Sequence, residues 1–164
     1  MLDERVQNVL QYLAWLILFL FLAYAGTVAL VYQASKPYSK YEAKVDKLVK
    51  QTAITQVDEH YHLDRGVVSY SASGTTKKGK QAYFIYLPKS SKAYYYTASD
   101  GVSESSVKDK FAKTYPKKQI RAINLGWKDQ QAVWEVAATN ADGSYCYAVY
   151  KFKDGNLLSL VDNL

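Results

Sequence analysis

The sequence predicts an α+β protein, with an N-terminal transmembrane helix followed by two small units that each lay a helix across one antiparallel sheet. Three observations carry that expectation. The run from Val6 to Ser35 holds no charged side chain. After it, a helical pattern followed by a series of strand patterns occurs twice. In the second series Asp142-Gly143 and Asp154-Gly155 stand between strand patterns, where an Asp-Gly pair signals a hairpin turn.

The apolar stretch comes first. Its centre, Leu13 to Val31, reads LAWLILFLFLAYAGTVALV. From Val9 to Tyr32 it covers ~24 residues, about 36 Å of α-helix, enough to cross a ~30 Å hydrocarbon core with some tilt. Trp15 and Tyr32 stand near its two ends, where amphipathic rings suit the headgroup boundary. A buried core helix rarely stays apolar on all sides for this length. A cleaved signal peptide is the alternative, since Ala23-Tyr24-Ala25 has the small-x-small form. Against cleavage, MLDER is not a basic leader and TVALVY continues the apolar run past that site. A retained anchor is expected, with the organisation 1–33 tail and anchor, 34–98 first unit, 99–164 second unit.

The strands and helices of the remainder follow from local signals. Ser39-Lys40-Tyr41-Glu42 has the capping-box form, and Tyr41, Val45, Leu48, Val49 and Thr52 share one helical face. Pro37 just before them is expected to begin this helix or mark a bend. Strands are expected over Val57–Leu63, Val67–Ser73, Gln81–Leu87 and Ala93–Thr97, with turns at Asp64-Arg65-Gly66 and Thr75–Gly79. Ser103 caps a second helix reaching Tyr115, with Val107, Phe111 and Tyr115 on one face and Pro116 as its stop. Four strands follow: Ile120–Trp127, Ala132–Thr139, Tyr145–Phe152 and Leu157–Val161. Alternation in the third of these puts Cys146, Ala148, Tyr150 and Phe152 on one side and Tyr145, Tyr147 and Val149 on the other.

Charge and chemistry narrow the function. The chain carries +6, and only Asp3, Glu4 and Arg5 of its charged residues precede the anchor. The excess beyond the anchor is nearly all lysine, a hydrated point charge suited to weak attraction toward anionic wall polymers or lipid headgroups. Arginine forks for nucleic acid are scarce, and no nucleic-acid partner is expected. Lysines 36, 40, 44, 47 and 50 all follow the anchor, which taken alone would keep the C-terminal part inside; long domains, however, cross largely regardless of charge. Cys146 is the lone cysteine, so no intramolecular disulfide and no cysteine-built metal site is possible. Asp58, His60, His62 and Asp64 would share one side of a strand, which leaves a metal-binding reading beside that of a polar, solvent-facing strand. No G-x-S-x-G or P-loop spacing occurs, so neither catalysis nor a cofactor is expected.

The sixteen tyrosines are more informative. Most belong to sheet packing, but consecutive rings at Tyr94, Tyr95 and Tyr96 cannot all point to one side. Rings left at a surface are typical interface anchors. Tyr94, Tyr95, Tyr96, Tyr145, Tyr147 and Val149 are therefore the candidate partner-binding residues. The edge near Ala93–Thr97 is also suited to pairing with an extended peptide.

The second half carries Ser103 at a helix start, Trp134-Glu135-Val136, Asp142-Gly143, Tyr145-Cys146-Tyr147 and Asp154-Gly155-Asn156. With the anchor and the order of elements, this resembles the TseB-like (YpmB) family of membrane-anchored cell-wall elongation regulators of Gram-positive bacteria. The resemblance implies two cystatin-like units related to the PepSY domain and a cytoplasmic N-terminus with both units outside. It further implies a penicillin-binding protein of the elongation machinery as partner, and action by binding rather than catalysis. Two other functions fit the residues: a module for anionic wall polymer or lipid, and a PepSY-like protease inhibitor.

Overall fold

The computed structural model describes residues 4–164, with backbone alone at 4, 5, 7 and 34–38. Met1–Asp3, the start of the expected cytoplasmic tail, lies outside the described residues. Two compact units are present, Met1–Lys40 and Tyr41–Leu164.

The first unit is helical. Helix α1 runs over Glu4–Val49, and its Asn8–Gln33 stretch is long and apolar enough to be a candidate membrane anchor. The Ser39–Glu42 pattern, expected to open a separate helix, lies inside α1 instead. Pro37, expected to begin a helix or mark a bend, likewise lies within the bounds of α1.

The second unit contains the end of α1, helix α2 (Glu104–Thr114) and eight strands: β1 (Ile54–Asp64), β2 (Val68–Thr76), β3 (Gln81–Leu87), β4 (Lys92–Thr97), β5 (Gln119–Lys128), β6 (Gln131–Thr139), β7 (Tyr145–Lys151) and β8 (Leu157–Val161). They form two four-stranded antiparallel sheets, β1-β2-β3-β4 and β5-β6-β7-β8. The α+β class and each expected strand are thus present. β1 begins three residues earlier than its alternation suggests, because register shifts at Ile54/Gln56 and Val57/Glu59 interrupt the two-residue period there. Gly74 opposite that irregular stretch has no room for a side chain, since a Cβ would come within 2.4 Å of the Gln56 carbonyl oxygen.

Each face of the first sheet is covered. On one side Val45 and Val49 of α1 pack against Ile54, Tyr70, Ala72, Ala82, Phe84 and Tyr86, and the Tyr41 and Tyr70 rings stack at 4.4 Å. On the other, Tyr61, Tyr83, Ile85 and Leu87 enter a larger core shared with the second sheet and with Val107 and Phe111 of α2. Trp134 of β6 is fully buried there. It meets Tyr61 and Tyr83 edge-on at 5.6 and 5.7 Å, and its indole N–H donates to the Val102 carbonyl at 2.9 Å. Burying an indole of this size contributes several kcal/mol, on the order of the ~3–5 lost on truncating a core tryptophan. Ser103 caps α2, accepting from the Ser106 N–H at 3.2 Å.

The two sheets meet where the β1–β2 hairpin touches β5. The Trp127 N–H donates to Ser69 Oγ at 3.1 Å, while Ser69 Oγ donates to the Leu63 carbonyl at 3.2 Å. Gly126 permits this approach: a Cβ there would lie 2.4 Å from Leu63 Cβ and 2.7 Å from Ser69 Oγ.

Candidate docking face

β7 sorts its side chains by alternation. Cys146, Ala148 and Tyr150 are buried against α2 and the shared core, and Phe152 beyond the strand joins them. Burial pushes the Cys146 thiol up, the reverse of what an activated thiolate requires, and pushes the Tyr150 phenol up to about 12.

The opposite face is more open. Tyr145 is 51% exposed, Tyr147 is half-buried, and their rings lie nearly parallel with centroids 6.3 Å apart. The Asp142-Gly143 turn that leads into this strand is fixed by Asp142. Its carboxylate accepts from the Ser144 hydroxyl at 2.7 Å and the Ser144 N–H at 2.9 Å, which holds its pKa below the usual carboxylate range. Gly143 supplies the positive φ of 88° that the turn needs. Val149 shares this face in register but is only 3% exposed, because Leu63, Val133 and Leu158 cover it.

Arg65, in the β1–β2 turn, reaches the same face from the other sheet. Its guanidinium stands 4.5 Å over the Tyr147 ring, and its Nε–H donates to Glu135 Oε2. Glu135 lies opposite Val149 in the ladder and is 4% exposed, so a nearly buried carboxylate is matched by one fixed cation. Nothing local in the sequence links Arg65 to Glu135, seventy residues on. Beside Tyr145 the face runs into a cleft of about 710 Å³ that also takes in Lys117 and Arg121. Arg121 Nε–H donates to Thr139 Oγ1 at 3.0 Å, which holds that guanidinium beside the strand.

The three tyrosines of β4 divide. Tyr94 stacks on Trp127 at 4.1 Å and Tyr96 packs on Phe152 at 5.1 Å, both turned toward the shared core. Tyr95 points to the other side of the sheet and is 38% exposed. Burial raises the Tyr96 phenol above its ordinary value.

On the histidine strand Asp58 and Asp64 are exposed to solvent, whereas the two histidines are partly covered. His60 and His62 are half-buried on the side of the first sheet that α1 covers. His60 Nε2 lies 2.7 Å from Asp46 Oδ1 of α1, and the His62 ring packs on Tyr70 at 4.8 Å. Asp58 accepts from the Thr75 hydroxyl at 2.9 Å. Among the described residues, no three His, Cys, Asp or Glu side chains gather where they could share a metal ion.

These features define a class: an α+β protein with two tandem antiparallel sheets following, in sequence, a candidate membrane helix, and with an open tyrosine-bearing sheet face. No family model matches the sequence. The chain is 26% identical over 147 residues to the "Probable cell wall elongation regulator TseB" of Bacillus subtilis (strain 168), covering 85% of this chain and 88% of that protein. Its fold is similar to the solved YpmB protein from Bacillus subtilis, with a TM-score of 0.61, 23% identity, and coverage of 74% of this chain and 95% of the other. The chain is therefore TseB/YpmB-like at low identity, as the resemblance of its second half implies.

Proposed function

We propose that this chain is a non-enzymatic, membrane-anchored regulator of cell-wall elongation. Its sheets lie outside the cell, and it acts by binding a penicillin-binding protein of the elongation machinery. The relative over most of its length is named for that regulatory role, which supports the process. The observation that carries a binding mechanism is the Tyr145–Tyr147 pair, two near-parallel rings on an open sheet face, one of them half-capped by Arg65. Rigid aromatic rings beside fixed guanidinium groups have the composition of an interface hot spot. The neighbouring Lys117 and Arg121 favour a partner that presents acidic side chains there. Tyr95, exposed near the sheet edge at β4, supplies a second contact. Domain boundaries at 33/34 and 98/99 belong to the same proposal, with the domain 99–164 supplying the main contact.

An anchor adds to this by confinement. A tethered binding face meets a membrane-bound partner at high effective concentration, so weak affinity in solution suffices in place.

The experiment is photo-crosslinking in living cells from position 145 and, separately, from position 95. Capture of an elongation penicillin-binding protein from position 145 is expected. Capture from neither position, with the protein at normal abundance, overturns the partner assignment. Protease added to intact protoplasts should digest the part after Gln33, and protection of that part until lysis overturns the external placement.

A further inference from the structure

The turn between β2 and β3 holds Lys77, Lys78 and Lys80, and Thr76 fixes its shape. The Thr76 N–H donates to the Lys80 carbonyl at 2.9 Å, and the Lys80 N–H donates to Thr76 Oγ1 at 3.2 Å. The three lysines line a cleft of about 880 Å³, walled elsewhere by the residues between α1 and β1 and by the end of β4. Among the described residues no carboxylate pairs with any of the three, whereas Lys118 and Lys128 are each paired with an aspartate. Asp58 and Asp100, the carboxylates of this region, accept instead from the Thr75 and Thr97 hydroxyls.

The rest of the cleft offers a different chemistry. Thr52 Oγ1 donates to the Val49 carbonyl at 2.7 Å, Thr55 Oγ1 to the Thr75 carbonyl at 3.1 Å, and Thr97 Oγ1 to Asp100 Oδ2 at 2.7 Å. A hydroxyl has one proton, so these three oxygens have only lone pairs left to offer. Thr52 Oγ1 already accepts from the Ile54 N–H at 3.2 Å and Thr97 Oγ1 lies 2.8 Å from Ser99 Oγ, which leaves Thr55 Oγ1 the most open acceptor. The exposed ring of Tyr95 lies in the same lining. A matching ligand therefore needs negative charge for the lysines, hydroxyl donors of its own for the threonine oxygens, and a C–H skeleton to lie on the tyrosine. Simple polyanions satisfy only the first of these. Lysine ammonium groups act on phosphate as point charges, with no arginine fork here to demand a planar partner. A recessed cleft admits a free chain more readily than headgroups held in a bilayer plane.

We propose that this cleft binds a phosphodiester-linked polyol chain, its phosphates against Lys77, Lys78 and Lys80 and its free hydroxyls against the threonine oxygens. The site is separate from the Tyr145–Tyr147 face, although it shares Tyr95 with the second contact proposed above, and it does not rest on the protein-partner reading.

The test uses the full-length protein in a neutral detergent, titrated by calorimetry with a glycerol-phosphate oligomer of defined length. Binding is expected, weakening as salt rises, and lowered about tenfold or more by the combined variant Lys77→Gln/Lys78→Gln/Lys80→Gln. Circular dichroism checks that this variant stays folded. Thr55→Val should also weaken the oligomer while leaving the weaker binding of inorganic polyphosphate of equal charge unchanged. No binding of the oligomer, or binding indifferent to the triple variant, overturns the proposal. So does equal affinity for polyphosphate or a single-stranded oligodeoxynucleotide, or lysine-dependent capture by phosphatidylglycerol vesicles in place of the oligomer.

Discussion

The Tyr61 hydroxyl donates to the Glu104 carboxylate at 2.8 Å, joining the first sheet to the first turn of α2 across 43 residues of chain. Ser73 Oγ lies 3.1 Å from the same phenol oxygen. Burial, and then the neighbouring Glu104 and Glu59 carboxylates, push this phenol well above its ordinary value, with the Ser73 bond opposing them. The phenol is therefore held protonated in the fold, while in the unfolded chain it ionises near 10.0. Its contribution to stability is complete below that pH and declines as the pH rises beyond it. Tyr61→Phe is expected to cost about 1–3 kcal/mol at neutral pH and to soften the alkaline loss, measured by denaturant melts from pH 8 upward.

Acid stability should depend on Asp162. Lys118 donates to both of its oxygens, at 2.6 and 2.7 Å, and Asn140 donates to Oδ1 at 2.9 Å. The Asn140 bond first, then Lys118, hold its pKa down to about 2, against an ordinary 3.8. A carboxylate lowered in the fold stabilises above its unfolded value, and that contribution drains as the pH falls from near 4 toward 2. Asp162→Asn should flatten that part of the stability–pH curve, as thermal melts across the range will show.

Gly126 should tolerate nothing larger. A Cβ at this position overlaps Leu63 and Ser69, and Ser69 is the hydroxyl that ties the two sheets together. Gly126→Ala is expected to destabilise by about 1–3 kcal/mol through overpacking, read by urea denaturation. Gly143→Ala, with open space around it but a positive φ, should cost about 1 kcal/mol through backbone strain alone.

The docking face yields the sharpest functional expectation. Tyr145→Ala with Tyr147→Ala should cost on the order of 2 kcal/mol or more in partner binding. The fold should survive, because Tyr145 is exposed and Tyr147 only half-buried. Co-purification with the elongation penicillin-binding proteins, beside circular dichroism of the variant, measures both. Capture at the wild-type level would move the interface away from this face.

Local order was legible in the sequence because local chemistry sets it. Ser103 caps α2, the β-branched and aromatic density of Gln81–Leu87 with its stop at Pro88 marks β3 to the residue, and the Asp-Gly pairs occupy turns with positive-φ glycines. The split of β7 into a core side and an open side was legible for the same reason. What pairs across long stretches of chain was not. Val149 alternates with Ala148 yet is covered by Leu63, whose position depends on how the first hairpin packs against β5. Arg65 reads as a turn residue, and only the folded chain shows it over Tyr147. The start of β1 was hidden by two register shifts, which erase the alternation that signals a strand.

Trp134 sets an order of events as the chain is made. Tyr61 and Tyr83 leave the ribosome long before the rings they pack on, Trp134 and Phe152. The first sheet can pair its strands early, but one of its faces stays wet until almost the whole chain has been synthesised. Final packing therefore waits for the last strands, and a transcript truncated before Phe152 yields a chain with an exposed aromatic sheet face, a natural target for chaperones and proteases.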